Sequence, residues 1–183
     1  MKRIILAVFA LMAVSVGAEA QSTQETIDRA LAAAPNRARD EATVIMWNDD
    51  HSYETLQEGS NRMVCYDRSS DEGRPPFASQ CTVLGNLERV AQSRKFSAEA
   101  ADRDGVNAMV AAAEANGTRV PPVFGSPFIS MNGRDEASAR THITIAMPGA
   151  TMANSGFPEN GRSGGAWIMD AGTTTAHLMI PGT

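Results

Sequence analysis

The spacing of apolar residues changes character twice along this chain. Before residue 66 they sit in short β-like runs, at Ala42 to Trp47, Tyr53 to Gln57 and Arg62 to Tyr66. From Val83 the period becomes helical: Val83, Leu84, Leu87, Val90 and Ala91 fall on one stripe, and Val106, Met109, Val110 and Ala113 on another. Past Phe128 the strand pattern returns, at Phe128 to Met131, His142 to Met147, Trp167 to Met169 and about Thr175 to Ile180. Strands at both ends with helical periodicity between them predict an α+β domain. Its antiparallel sheet has about five to seven strands, with the helices inserted centrally and packed on one face. Ala42 to Trp47 is apolar on both sides, which places it inside the sheet, and the first three strands read as a meander. Gly105 weakens the second stripe, and Ser97 can cap it. Ser22-Thr23-Gln24-Glu25 is a capping box that predicts a short helix over about 23–34. Its weak apolar face predicts loose seating on the body. The glycine-rich stretch Pro148 to Ala166 reads as a long loop, a place where function is often found.

The first twenty residues are set apart from this domain. Lys2 and Arg3 precede an apolar run from Ile4 to Val16, and Ala18-Glu19-Ala20 is a small-x-small cleavage site. This is the pattern of a secretory signal peptide, residues 1–20, cut after Ala20, with the single domain over 21–183. The run is too short to span a bilayer, which takes about 20 apolar residues. The expected destination is the periplasm or the medium. Losing Lys2, Arg3 and Glu19 moves the net charge from −5 to −6 and leaves Lys95 as the one lysine. No basic run exceeds Arg94-Lys95, so counterion release cannot drive binding to a phosphate backbone, and nucleic acid is not an expected partner. No second apolar stretch reaches membrane length, so no membrane insertion is expected. The partners left are a small ligand or another protein.

Cys65 and Cys81 are the two cysteines. An even count in an exported chain points to a structural disulfide. A metal or redox pair is the alternative, and a C-x-x-C spacing would support it; a fifteen-residue gap does not. The polar, proline-bearing stretch between them reads as a surface loop that needs a staple.

Three constellations bear on chemistry. Gly161-Arg162-Ser163-Gly164-Gly165 matches G-x-S-x-G, and Asp170 and His177 follow in the Ser…Asp…His order of α/β-hydrolases. A nucleophile elbow needs a strand before the serine and a helix after it. Here a loop precedes Ser163 and a strand-like run follows. Second, His142 and His177 open two similar segments, each stopped by Pro-Gly. The two strands are expected to be neighbours, and if they pair in register strand parity puts both imidazoles on the same, less apolar face, where they could hold zinc or copper, with Met46, Met131, Met169 and Met179 as soft donors. Two histidines are few for a site, and strand histidines commonly satisfy a backbone or carboxylate partner instead. Third, His51 beside Asp49 and Asp50 reads as turn chemistry. No dinucleotide, phosphate-loop or haem fingerprint is present, and no cofactor is expected.

Several of these segments together resemble a family of small exported bacterial proteins of unknown function. They are Ala42-Thr43-Val44, Gly59-Ser60-Asn61, the Cys65 and Cys81 pair, His142 to Pro148, Gly164-Gly165-Ala166-Trp167-Ile168-Met169, and Ala176-His177-Leu178-Met179-Ile180-Pro181. The resemblance spans most of the chain after residue 20 and implies export and the cysteine pairing, with no activity attached. The expectation is an exported, non-catalytic binding or interaction module. A serine hydrolase using Ser163 and a metal-binding module using His142 and His177 are its alternatives.

Overall fold

A computed structural model describes residues 22–180. Residues 1–20, where the sequence predicts a signal peptide, and the final Pro181-Gly182 stop lie outside the described residues. Eight strands form one sheet: β1 (Thr43–Trp47), β2 (Tyr53–Gln57), β3 (Met63–Asp67), β4 (Phe77–Val83), β5 (Pro127–Gly133), β6 (Arg140–Ala146), β7 (Trp167–Met169) and β8 (His177–Met179). Their order across the sheet is β2-β1-β3-β4-β5-β6-β8-β7. The architecture is α+β as expected, with one strand more than the upper bound of seven. The extra one is β4. Helices α2 (Leu87–Glu99) and α3 (Arg103–Ala115) are inserted between β4 and β5. Helix α1 spans residues 22–31, and α4 is one turn, Met152–Ser155. Among the described residues no helix is long and apolar enough to cross a membrane.

The first three strands are not a meander. β2 folds back on β1 as an antiparallel hairpin, but β3 crosses to the other side of β1 and pairs with it in parallel. Gly59 permits that crossing. A Cβ there would stand 2.4 Å from the backbone of Ala42, so only glycine lets the 58–61 turn pass so close to the start of β1. Asn61 then ties the crossing down: its backbone N–H donates to the Glu41 carbonyl at 3.0 Å and its side chain to Ala38 at 2.8 Å.

The sheet has two different faces. On one, Val44, Cys65, Cys81 and Ile129 meet Ile27, Ala30, Ala33 and Ala34 of α1 and the turn after it. The predicted loose seating of this helix is corrected. Its alanines are small enough to let the helix approach the sheet closely, and Ala30 is fully buried. On the other face, Ile45, Val64 and Tyr66 meet Leu87 and Val90 of α2. The start of α2 is held by Asn86, whose amide donates to Thr82 Oγ1 (2.7 Å) and Ser126 Oγ (2.9 Å) while its oxygen accepts from the Val123 N–H (2.7 Å). The helical region breaks at 100–102 rather than at Gly105. Asp102 caps α3 by accepting from the Gly105 N–H, and Ser97 lies inside α2.

Cys65 and Cys81 form a disulfide between directly opposed positions of β3 and β4, with Cα atoms 4.1 Å apart. The bond therefore locks two strands rather than the loop between them. That loop is pinned by charge: Asp71 bridges Arg68 at 2.8 Å and Arg94 of α2 at 2.6 Å. Residues 148–166 are not a bare loop either. Phe157, Met147 and Ala150 close over Ile168 and Leu178 as a small separate core.

Candidate binding cleft

Alternation fixes which side chains share the α2 face of the sheet. Cys81 points to α1, so Gln80 points to α2. The registers Cys81↔Ile129, Phe128↔Thr144 and Ala146↔His177 carry Gln80, Phe128, Thr144, Ala146 and His177 onto that same face. Beyond β4 the helix pair no longer covers it fully. A cleft of about 500 Å³ remains, floored by Phe128, Thr144 and Ala146 and walled by Gln80, Arg74, Arg89 and His177.

Arg89, Gln80 and His177 are each oriented by a neighbour. Arg89 is 6% exposed, and its guanidinium donates to the Val120 carbonyl, to Thr174 Oγ1 at 3.2 Å and to Thr175 Oγ1 at 2.9 Å. Those threonines in turn donate to Glu114 of α3, whose carboxylate also accepts the Thr174 N–H at 3.0 Å. The charge of Arg89 thus meets its counter-charge only through hydroxyls. Burial, with the Arg119 charge nearby, lowers the Arg89 pKa to about 10, against the opposing pull of Glu114. Partial desolvation and the Arg68 charge, against the opposing pull of Asp71, likewise lower Arg74, whose side chain is otherwise exposed. Its side chain has no hydrogen-bond or ion-pair partner among the described residues. Gln80 Oε1 accepts from Arg68 at 2.6 Å, which leaves the amide nitrogen as the free donor. His177 Nδ1 lies 2.8 Å from the Thr175 carbonyl. A carbonyl can only accept, so Nδ1 carries the proton and Nε2 carries the lone pair in the neutral ring. Among the described residues no carboxylate lines the cleft. Two guanidinium groups, an amide N–H₂ and a hydroxyl above an aromatic floor suit a small organic anion.

The residues singled out from the sequence fall as follows. β6 and β8 are neighbours, and parity does put His142 and His177 on one face. The register, however, sets His177 opposite Ala146, four residues from His142, an offset of about 13 Å along the strand. Two imidazoles so far apart cannot share an ion. His142 is exposed at the far end of β6. Met46 and Met131 lie on the α1 side, whereas Met169 and Met179 share the face of His177. Among the described residues no three of His, Cys, Asp and Glu gather around one point. Ser163 ends a 3-10 turn, Gly161–Ser163, and the chain proceeds through Gly164 to β7 with no helix after it. Asp170 is exposed at a turn, and the His177 nitrogen that it would orient is already bonded to Thr175. These positions do not form an elbow-type triad. Asp50 is occupied at the hairpin tip, accepting from the Ser52 N–H at 2.9 Å. His51 beside it has φ 67° and, with Trp47, Tyr53, Leu84 and Glu88, lines a shallower hollow of about 520 Å³.

Arg74, Gln80, Arg89 and Phe128 were not among the sequence candidates. The one local signal was an arginine, Arg89, between apolar stripe positions Leu87 and Val90. No family model matches the chain, and no curated protein or solved structure is similar enough to count as a match.

Proposed function

We propose that this protein is an exported, non-catalytic binding module whose ligand site is the cleft on the α2 face of the sheet. The ligand class is a small organic anion, with its charged group toward Arg74 and Arg89 and its apolar part on Phe128. One observation carries this reading: two guanidinium groups line one concavity that no carboxylate lines, Arg74 with no hydrogen-bond or ion-pair partner among the described residues and Arg89 reaching Glu114 only through the hydroxyls of Thr174 and Thr175. Export rests on residues 1–20 and on the family resemblance, and the Cys65–Cys81 disulfide is consistent with an oxidising destination.

Calorimetry on the mature, disulfide-intact protein tests the reading, with a panel of small mono- and dicarboxylates and inorganic phosphate as probes. At least one should bind saturably. Arg74→Ala should weaken it about 10- to 100-fold, the equivalent of one charge-assisted hydrogen bond. Arg74 holds no other part of the fold, so the melting temperature should hold. Absence of saturable binding across the panel, or binding indifferent to Arg74→Ala, overturns the assignment.

A further inference from the structure

We propose that the β7–β8 hairpin carries a copper(I) site built from His177, Met169 and Met179, with Trp167 beside it. This goes beyond the anion cleft. The cleft lies on the β6 side of β8 and Met169 on its β7 side, while His177 and Met179 stand on β8 between the two.

The hairpin register supplies the juxtaposition. Met169 is paired with His177, and Trp167 with Met179. Alternation puts these four side chains on one face, while Ile168 and Leu178 turn to the small core on the other. Directly opposed residues hold their Cβ atoms about 4.5–5.5 Å apart, and diagonal ones about 7–8 Å. Met179 is two residues beyond His177 on the same strand. A triangle of that size closes around a single ion, because a methionine side chain has three rotatable bonds with which to bring its sulfur inward.

The state of His177 is an independent observation. Its Nδ1–H is committed to the Thr175 carbonyl at 2.8 Å, so Nε2 is left with its lone pair. Metal-binding histidines are held in this way, one nitrogen donating to a backbone carbonyl and the other free to ligate. Met169 is 40% exposed, so its thioether is available rather than consumed as core.

The donor set selects the ion. One imidazole and two thioethers are neutral and soft, and thioethers favour copper(I) over zinc, magnesium or calcium. No charge in the set offsets a dication, and the guanidinium groups of Arg74 and Arg89 across the cleft oppose one further. The Arg89 charge is met by Glu114 through Thr174 and Thr175, which leaves a monocation tolerable. The register pairs Trp167 with Met179, so a tryptophan shares this face of the hairpin with the three ligands.

Silver(I) is the first probe, because it mimics copper(I) without a reductant that would threaten the disulfide. Titration of the mature protein should show one silver ion per chain and quenching of tryptophan emission. The quenching should be lost in Trp167→Phe, which retains Trp47. Met169→Leu and Met179→Leu conserve volume and should keep the fold, as checked by the melting temperature. Each should weaken silver binding at least tenfold, and the double variant should abolish it, while Met131→Leu leaves it unchanged. Copper(I), in competition with a chromophoric chelator, should follow the same order. Absence of one-to-one binding overturns the site, as does binding that survives in the double variant or zinc bound as tightly as silver. Loss of anion binding in Arg74→Ala leaves these outcomes untouched, so the two sites are tested separately.

Discussion

The two halves of the sheet have opposite designs. From β1 to β4 both faces are covered: Val44, Cys65 and Cys81 beneath α1, and Ile45, Val64 and Tyr66 beneath α2. From β6 to β8 the strands shorten, to three residues in β7 and β8, and the core behind them is built from Ala150, Ile168 and Ala176. In front of them His177 stands at a cleft and Met169 reaches solvent. A strand covered on both sides commits its side chains to packing, and among the described residues of β1 to β4 only Gln80, on the last of them, reaches the cleft. The half-covered strands give up apolar burial and gain an accessible row of chemically distinct groups. Stability and recognition are thus divided between the two halves of one continuous sheet.

That division can be broken experimentally. The largest effect should come from replacing Cys65 and Cys81 with alanine. Releasing a cross-link between residues 16 apart should cost about 3 kcal/mol in urea unfolding. A loss well below that would show that the covered half does not dominate. Next is Asp71, which joins the 68–76 segment to α2. Burial pushes its carboxyl up, but hydrogen bonds from Arg68 and Arg94 outweigh this and hold it below its usual 3.8. A depressed folded value means that the stabilisation is fully present above pH 3.8 and lost as pH falls through the lower folded value. Asp71→Asn should therefore cost about 2 kcal/mol at neutral pH. That difference from the native protein should vanish in acid, and a gap constant with pH would refute the pairing. The smallest effect belongs to the open half. His142→Ala, at an exposed strand end, should change stability by less than about 0.5 kcal/mol. A larger loss would mean that the open half shares the load.

Much of this was legible in the sequence, wherever local pattern and final burial agree. The Tyr53–Gln57 and Trp167–Met169 strands fall where their patterns put them, and α2 and α3 follow the helical stripes. β4 was hidden because Ser79, Gln80 and Thr82 look like loop residues. Ser79 and Thr82 are fully buried, in a strand packed from both sides, which only the assembled fold reveals. The crossing from β2 to β3 is hidden for a similar reason: a Gly-Ser-Asn turn is compatible with a meander, and the close approach of Gly59 to Ala42 is tertiary. His177 was visible as a candidate, since a histidine opening a strand stands out. Arg74 and Arg89 were not. An arginine beside a helical stripe looks like a solvated residue until Glu114, Thr174 and Thr175 arrive from elsewhere in the chain. The pairing of His177 with Met169 was equally out of reach, because two short strands do not announce their register.

The seating of α1 has a consequence for the chemistry of the disulfide. Both cysteines are fully buried, and Cys81 Sγ lies 3.8 Å from the Ala30 carbonyl oxygen on that helix. A thiolate attacking the bond needs a clear line to a sulfur, and the helix closes it. The rate at which a small thiol reduces the native protein is therefore set by how often α1 lifts away. At high thiol concentration the rate should level off at the helix opening rate, so the bond acts as a clock for that opening.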